Sequence, residues 1–179
     1  MAQQRQSPNP KPRKPLTAER LRELLCYDPE TGEWGWLKQP RSNRGKPGSK
    51  AGSLNKHLGY VYIGIDGRSY QSSRLAFLYM TGEWPTLDVD HRDGNPGNDS
   101  WANLRPASRS QNIGNSRLHR GSSSGFKGVT WHKQRRKWKA QIKLHGRNIH
   151  LGHFDTPEAA HEAYKAKARE LFGEYARFQ

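Results

Sequence analysis

The stretch LDVDHRDGNPGNDSWANLRPASRSQNIGNSRL (87–118) is dense in His, Asp and Asn and poor in apolar side chains. A packed core has no use for so many small polar groups together, so the segment reads as chemistry rather than scaffold. Leu87 and Val89 alternate with polar positions and end at Asp90-His91, which predicts a short strand. A Gly/Pro/Asn loop follows, and Asn103-Leu104-Arg105 reads as the return strand. Ser108 with Gln111 three residues later is a capping-box signature, so a helix starts there with Asn112 in its first turns. The expected unit is strand, loop, strand, helix. In it Asp90 and Asn112 offer oxygen atoms beside the His91 ring. A few hard oxygen ligands suit one Mg²⁺ (or Mn²⁺) ion that keeps several waters and completes its shell with phosphate.

The rest of the chain narrows the chemistry. Its 179 residues carry 31 Lys+Arg against 16 Asp+Glu, a net charge of +15, with 32% hydrophobic residues. That balance fits small modules rather than one large core, and it points to a polyanionic partner, nucleic acid first. No apolar run is long enough for a membrane span or a secretory signal, and the single Cys26 forms no internal disulfide or zinc ribbon. These features predict a cytoplasmic protein with no membrane partner. No Gly-rich phosphate loop with a Lys and no serine-nucleophile motif is present, so no small-molecule cofactor is expected.

Residues 1–16 are rich in Pro and basic side chains, lack acids, and read as a disordered basic arm. Over 17–86 the signals are Thr17 as an N-cap, Leu21, Leu24 and Leu25 at helical spacing to about Tyr27, and a strand at Trp34–Leu37. A polar loop follows over Arg41–Gly52. Then comes a hairpin of YVYIGI (60–65) and RSYQ around Asp66-Gly67, and a helix bearing Leu75, Ala76, Leu78 and Tyr79. HRGSSSG (119–125) reads as a linker. Over 126–179, FKGVTW, KWKAQIKL and RNIHLGHF read as three strands, and Thr156-Pro157-Glu158 starts a helix whose apolar stripe includes Ala160, Tyr164, Ala168 and Phe172. The fold class is therefore α+β.

Two family resemblances then stand out. Asp90-His91, Asn103 twelve residues after the His and Asn112 nine further on, within DHRDGN and NLR contexts, resemble the HNH endonucleases of phage and homing type, whose nuclease unit is the ββα-metal motif. The resemblance implies His91 as general base, Asp90 and Asn112 as holders of one divalent ion on the scissile phosphate, and Asn103 as the amide that ties the loop and fixes His91. An unperturbed imidazole has a pKa near 6.5, so its neutral form is available near pH 7. Arg105 and Arg109 are expected phosphate clamps. Asn95, Asn98 and Asp99 read as turn residues with no catalytic role.

Gly128-Val129, Trp138 through Ile142 and Leu151-Gly152-His153-Phe154-Asp155-Thr156 resemble the Apetala-type ethylene-response-factor DNA-binding domain. That family lays the sheet face away from its helix in the major groove. The resemblance places Lys127, Thr130, His132, Gln141, Lys143, Asn148 and His150 on that face, with Arg135 and Arg136 in the first turn. Several of the family's Arg and Trp reading positions are Thr, His or Asn here, so its target sequence does not carry over. The segment from Thr17 to about Tyr79 is similar to the leading segment that precedes the HNH unit in phage proteins.

Together these readings predict a divalent-metal-dependent endonuclease acting on double-stranded DNA in a host cell of a phage or mobile element. One site per chain predicts a monomer that nicks. The alternative is a non-cleaving DNA-binding regulator that keeps a degenerate nuclease fold. A calcium loop at Asp88, Asp90, Asp93 and Asn95 fails because the Gly is misplaced and no Glu closes it. Zinc at His145, His150 and His153 lacks a Cys, and alternating strand positions explain those histidines.

Overall fold

In a computed structural model that describes residues 15–39, 45–118 and 121–178, Thr17 caps the first helix, α1 (Ala18–Leu24). Its hydroxyl accepts from the Arg20 N–H, a contact worth about 1 kcal/mol. The helix stops at Leu24, short of the expected Tyr27. Leu25–Tyr27 is instead a strand, β1, because Leu25 and Tyr27 pair with Trp36 and Trp34 of β2 (Trp34–Trp36) and all four are buried. Leu37, expected in that strand, lies outside it and is exposed. The basic arm lies outside the described residues except for Pro15 and Leu16. Leu16 belongs to the core instead: it is buried, and its carbonyl accepts from Trp84 Nε1 at 3.0 Å.

A second antiparallel sheet holds β3 (Ser53–Leu54), β4 (Val61–Ile65) and β5 (Arg68–Gln71), in that order. Asp66 and Gly67 both adopt positive φ (49° and 79°), the tight hairpin turn that the Asp-Gly pair predicts. Helix α2 (Ser72–Thr81) ends at Gly82 in the left-handed region. Leu21, Leu25, Trp34, Ile63 and Leu75 share one core, and the Trp34 indole N–H is satisfied by Ser72 Oγ at 2.9 Å.

The expected strand, loop, strand, helix unit follows. β6 (Asp88–His91) pairs antiparallel with β7 (Leu104–Ala107), which sets Asp90 opposite Arg105 and His91 opposite Leu104. A short 3₁₀ turn at Trp101–Asn103 leads into β7. Helix α3 (Arg109–Asn115) begins with the full capping box, Ser108 Oγ accepting from Gln111 N and Gln111 Oε1 accepting from Ser108 N. Val89 and Leu104 reach down into the core of the N-terminal segment, so the hairpin is mounted on that segment rather than free of it.

The C-terminal module is a three-stranded antiparallel sheet, ordered β10-β9-β8, of β8 (Val129–His132), β9 (Lys137–Leu144) and β10 (Arg147–Phe154). Helix α4 (Pro157–Phe172) packs across one face, with Thr156 as its cap and Pro157 at its first position. Gly128 has φ +75° and sits so close to Tyr164 that an added Cβ would lie 2.1 Å from the ring. After α4 a 3₁₀ turn (Gly173–Tyr175) carries the chain back onto the β6–β7–α3 unit. Residues 119 and 120 of the expected linker lie outside the described residues, and Ser124 is already tied into the module through the Val129 carbonyl at 2.8 Å. Among the described residues no helix is long and apolar enough to cross a membrane.

Candidate active site

The end of β6 and the exposed side of α3 enclose a cavity of about 330 Å³ lined by Asp90, His91, Asn112, Asn115, Tyr60 and Arg117, among others. Asp90 and His91 are almost fully buried, whereas Arg117 stands exposed at the edge. Two elements, β6 and α3, therefore bring a carboxylate, an imidazole and two amides to one place.

His91 has a partner that sequence reasoning passed over. Its Nε2 lies 2.8 Å from Asp99 Oδ1, and both side chains are buried. A carboxylate only accepts, so this contact fixes the proton on Nε2 and leaves the Nδ1 lone pair as the basic site. Asp99, expected only as a turn residue, is thus the side chain that holds the His91 ring through Nε2. Its own backbone is braced by the N-terminal segment: Tyr27 Oη donates to the Asp99 carbonyl at 2.6 Å, and Trp101 N donates to the Pro29 carbonyl. Burial, with Asp99 and Asp28 nearby, raises the Tyr27 phenol above its ordinary pKa, which keeps it a donor. Gly32, at φ +76°, presses on Asp99 so closely that a Cβ there would lie 2.3 Å from the Asp99 carbonyl carbon.

Asn103 acts on the loop. Its Oδ1 accepts from Asp93 N at 3.0 Å, and its Nδ2 donates to Asp93 Oδ1 at 3.1 Å and to the Asn98 carbonyl at 2.7 Å. Burial opposes ionisation of Asp93, but hydrogen bonds from Asn98, Asn95 N and Asn103 outweigh it and hold the carboxyl below the usual range. The loop between the strands is therefore a closed polar network.

Asp90 is just as constrained. Arg105 Nε donates to its Oδ2 at 2.8 Å, and Asn115 Nδ2 donates to Oδ1 at 2.9 Å, to Oδ2 at 3.1 Å and to the His91 carbonyl at 2.7 Å. Asn115 lies one turn beyond Asn112 on α3, so helical spacing from Asn112 is the signal that could have found it. Each carboxylate oxygen has two acceptor directions, so Oδ1, with one donor, keeps one free, and Asp90 and Asn112 both line the cavity. One carboxylate oxygen and one amide oxygen, with room for water and phosphate, fit a divalent ion such as Mg²⁺. Among the described residues no three His, Cys, Asp or Glu side chains are grouped to hold a metal, so a site here relies on amide, water and substrate oxygens.

The expected phosphate clamps separate. Arg109 stands on the surface with Asp88 Oδ2 at 3.7 Å. Arg105 is turned inward and only 5% exposed, so it is not a surface clamp. Besides Asp90 it donates to the Glu174 carbonyl at 3.1 Å, and its guanidinium lies 3.7 Å from the Tyr175 ring centroid. β7 buries that position because its partner across the ladder is Asp90.

Two family models match the chain. The family model described as HNH endonuclease matches residues 70–113, the span that holds Asp90, His91, Asn103 and Asn112, and the AP2 domain matches 124–174. Protein 3.8 of Escherichia phage T7 is 36% identical over 91 residues, covering 51% of this chain and 74% of that protein. The chain belongs to the HNH endonuclease family. An uncharacterised HNH endonuclease of Acanthamoeba polyphaga mimivirus is 35% identical over 124 residues, 64% of each protein. An AP2-like ethylene-responsive transcription factor of Arabidopsis thaliana is 34% identical over 97 residues, 49% of this chain but 20% of that protein. The solved HNH homing endonuclease I-HmuI is similar at 28% identity, over 50% of this chain and 49% of that one, with a TM-score of 0.39.

In this HNH protein the AP2 sheet keeps one face open. Cross-strand pairs Thr130–Lys139, His132–Lys137, Gln141–His150 and Lys143–Asn148 share that face, while Val129, Ala140 and Ile142 are buried toward α4. Lys137, Lys139 and His153 therefore join the expected set; strict alternation along β9 is the signal that could have found the two lysines. Arg135 and Arg136 are exposed in the β8–β9 turn. Gln141, Lys143 and Asn148 also line a cavity of about 180 Å³ with Ile113, Ser116 and Tyr164.

Lys127 is the exception. It precedes β8, and its Nζ donates to the carbonyls of Gly114 and Ser116 at 2.6 Å and of Arg177 at 3.2 Å. It locks the AP2 module to the nuclease unit instead of reading a groove. Burial, with the Arg177 guanidinium, lowers its ammonium to about 8.

Proposed function

We propose that this chain is a divalent-metal-dependent DNA endonuclease of phage or homing type that hydrolyses a phosphodiester bond with His91 as general base. The observation that carries the reading is the convergence of Asp90, His91 and Asn112 on one cavity, with the His91 proton fixed on Nε2 by Asp99. His91 Nδ1 then takes the proton of a water aimed at phosphorus, and Asp99 keeps the ring oriented while the imidazolium exists. Asp90 and Asn112 hold the ion, and Asn103 keeps the loop closed. When bound, the ion supplies charge stabilisation for the scissile phosphate and the departing oxygen. The open AP2 face and Arg109 hold duplex DNA through phosphate and base-edge contacts. With one such cavity among the described residues, the product is a nick made by a monomer.

A supercoiled plasmid incubated with Mg²⁺ or with EDTA tests this. The expected result is open-circle DNA only with metal, lost in His91→Ala while DNA binding persists. Tight binding with no cutting in any divalent metal overturns it and leaves a DNA-binding regulator.

A further inference from the structure

We propose that the β3–β4 hairpin tip, residues 53–59, is a wedge that enters the DNA minor groove beside the phosphodiester held at His91. The proposal deepens the nuclease reading and rests on it for the position of the cut. None of these residues falls in the segments that match the HNH and AP2 models.

Leu54 and Leu58 are each 57% exposed, more than any other large apolar side chain among the described residues. They sit on a stiff tip. Asn55 Oδ1 accepts from His57 N and Leu58 N at 3.0 Å, Asn55 N donates to the Tyr60 carbonyl at 2.8 Å, and Gly59 N donates to the Asn55 carbonyl at 2.7 Å. A tip that rigid holds its leucines out in water when the surrounding chain could have folded them in. The cost of that exposure points to a partner that covers them.

Position and charge say which partner. Gly59 packs so tightly on Pro96 that a Cβ would lie 2.8 Å from the Pro96 ring, and Leu54 comes within 3.9 Å of the Cβ position of Gly97. Pro96 also walls the His91 cavity, as does Tyr60, the residue that follows the tip. The tip borders a second cavity of about 650 Å³ that shares Pro96 and Arg117 with the first. Its charged lining is Lys50, Lys56 and Arg117, with His57 beside them and no carboxylate, although Lys50 itself pairs with Glu33 at 2.5 Å. Leucines on a cationic ridge match the minor groove. Its walls are deoxyribose C–H surfaces between two rows of phosphate, and its base steps open around apolar side chains. Opening the groove at that step would bring the neighbouring phosphodiester into the His91 cavity.

The test reads binding in EDTA, so it stands whether or not the protein cuts. A duplex selected from a randomised pool by binding to the full chain is resynthesised with a fluorescent adenine analogue at successive steps. The expected result is one position whose fluorescence rises on binding, flanked by hydroxyl-radical protection across the minor groove. The double variant Leu54→Ser, Leu58→Ser is expected to abolish that rise and weaken binding by about tenfold, with Leu58→Met restoring it. Lys56→Gln is expected to lower the salt slope of binding by about one while the unstacking remains. An unstacking signal and affinity that survive in the double serine variant overturn the proposal and assign the leucines to a protein partner. If the signal holds but a plasmid is never nicked, the wedge stands and the nuclease reading falls.

Discussion

The Tyr175 ring centroid lies 3.7 Å from the guanidinium of Arg105, whose Nε donates to Asp90 Oδ2 at 2.8 Å. Tyr175 belongs to the segment after α4, at the far end of the AP2 domain, and Arg105 to the return strand of the nuclease hairpin. The same segment adds Tyr175 Oη donating to the Pro106 carbonyl at 2.8 Å and Arg177 Nη1 donating to the Asp93 carbonyl at 2.6 Å. Phe172 closes on Gly114 so tightly that a Cβ there would lie 2.7 Å from its ring. The orientation of Asp90 is therefore set partly by residues outside the HNH segment.

Removing the ring should loosen Asp90 more than it loosens DNA. In Tyr175→Ala the guanidinium loses a desolvated cation–π partner worth about 1–2 kcal/mol, which corresponds to about tenfold in rate. Single-turnover nicking should slow by that factor, with the Mg²⁺ midpoint raised and DNA affinity in EDTA unchanged. Tyr175→Phe keeps the ring and should recover most of the rate. Equal losses of affinity and rate would mean that the tail only holds the AP2 domain in place.

Asp99 offers a sharper test, because an amide keeps its shape and changes its hydrogen bonding. In Asp99→Asn the side chain can donate to Nε2, which moves the imidazole proton to Nδ1 and blocks the base. The rate constant for nicking should fall by about 100-fold or more, as general-base catalysis is lost. Binding of uncut DNA in EDTA should stay within a factor of about two, since the Asp99 side chain is buried.

The balance between what is legible in sequence and what is not follows physical lines. The positions 90, 91, 103 and 112 stand out because strand end, turn and capped helix each leave a local signal, and spacing links them. The three strands of the AP2 domain are legible from alternation, and α4 from its cap and stripe. Asp99 is not, because a contact made across an irregular loop has no period. Arg105 alternates correctly on β7, but nothing local says that an ion pair rather than water faces it. Lys127 reads as a basic residue near a reading face, and only the return of the C-terminal tail shows that three carbonyls enclose it. Leu25 and Tyr27 carry both helical and strand spacing, and the pairing with Trp36 and Trp34 decides between them.

Gly128 predicts a stability effect that starts in the AP2 domain. Gly128→Ala places a methyl 2.1 Å from Tyr164 at a φ of +75°, so the buried ring must shift and the backbone is strained. The expected cost is about 2–4 kcal/mol. That should lower the thermal midpoint of the chain by about 5–10 °C in a calorimetric scan. A Gly128→Ala protein that melts with the wild type would show that the close approach relaxes without cost.

DNA held on the open AP2 face, as proposed, is expected to bind with a pH dependence. Desolvation, then the charges of His150, Arg135, His132 and Lys139, hold His153 below the ordinary histidine pKa. The His150 and His153 rings are 4.6 Å apart, and His132 and His153 are 5.0 Å apart. In the free protein this lowered pKa means fewer bound protons than in the unfolded chain. Stability from His153 is therefore present above the ordinary histidine pKa and lost as pH falls below it through the lowered folded value. DNA reverses the local field. Phosphates near these rings favour the imidazolium, so the complex binds more protons than the free protein, and linkage requires affinity to rise as pH falls from neutral toward 5. Fluorescence anisotropy of a labelled duplex in EDTA should show that rise. His153→Gln should flatten it without changing affinity at pH 8, where the wild-type ring is neutral. A pH profile that is flat in the wild type would place the phosphates away from this face and send the DNA to another surface of the AP2 domain.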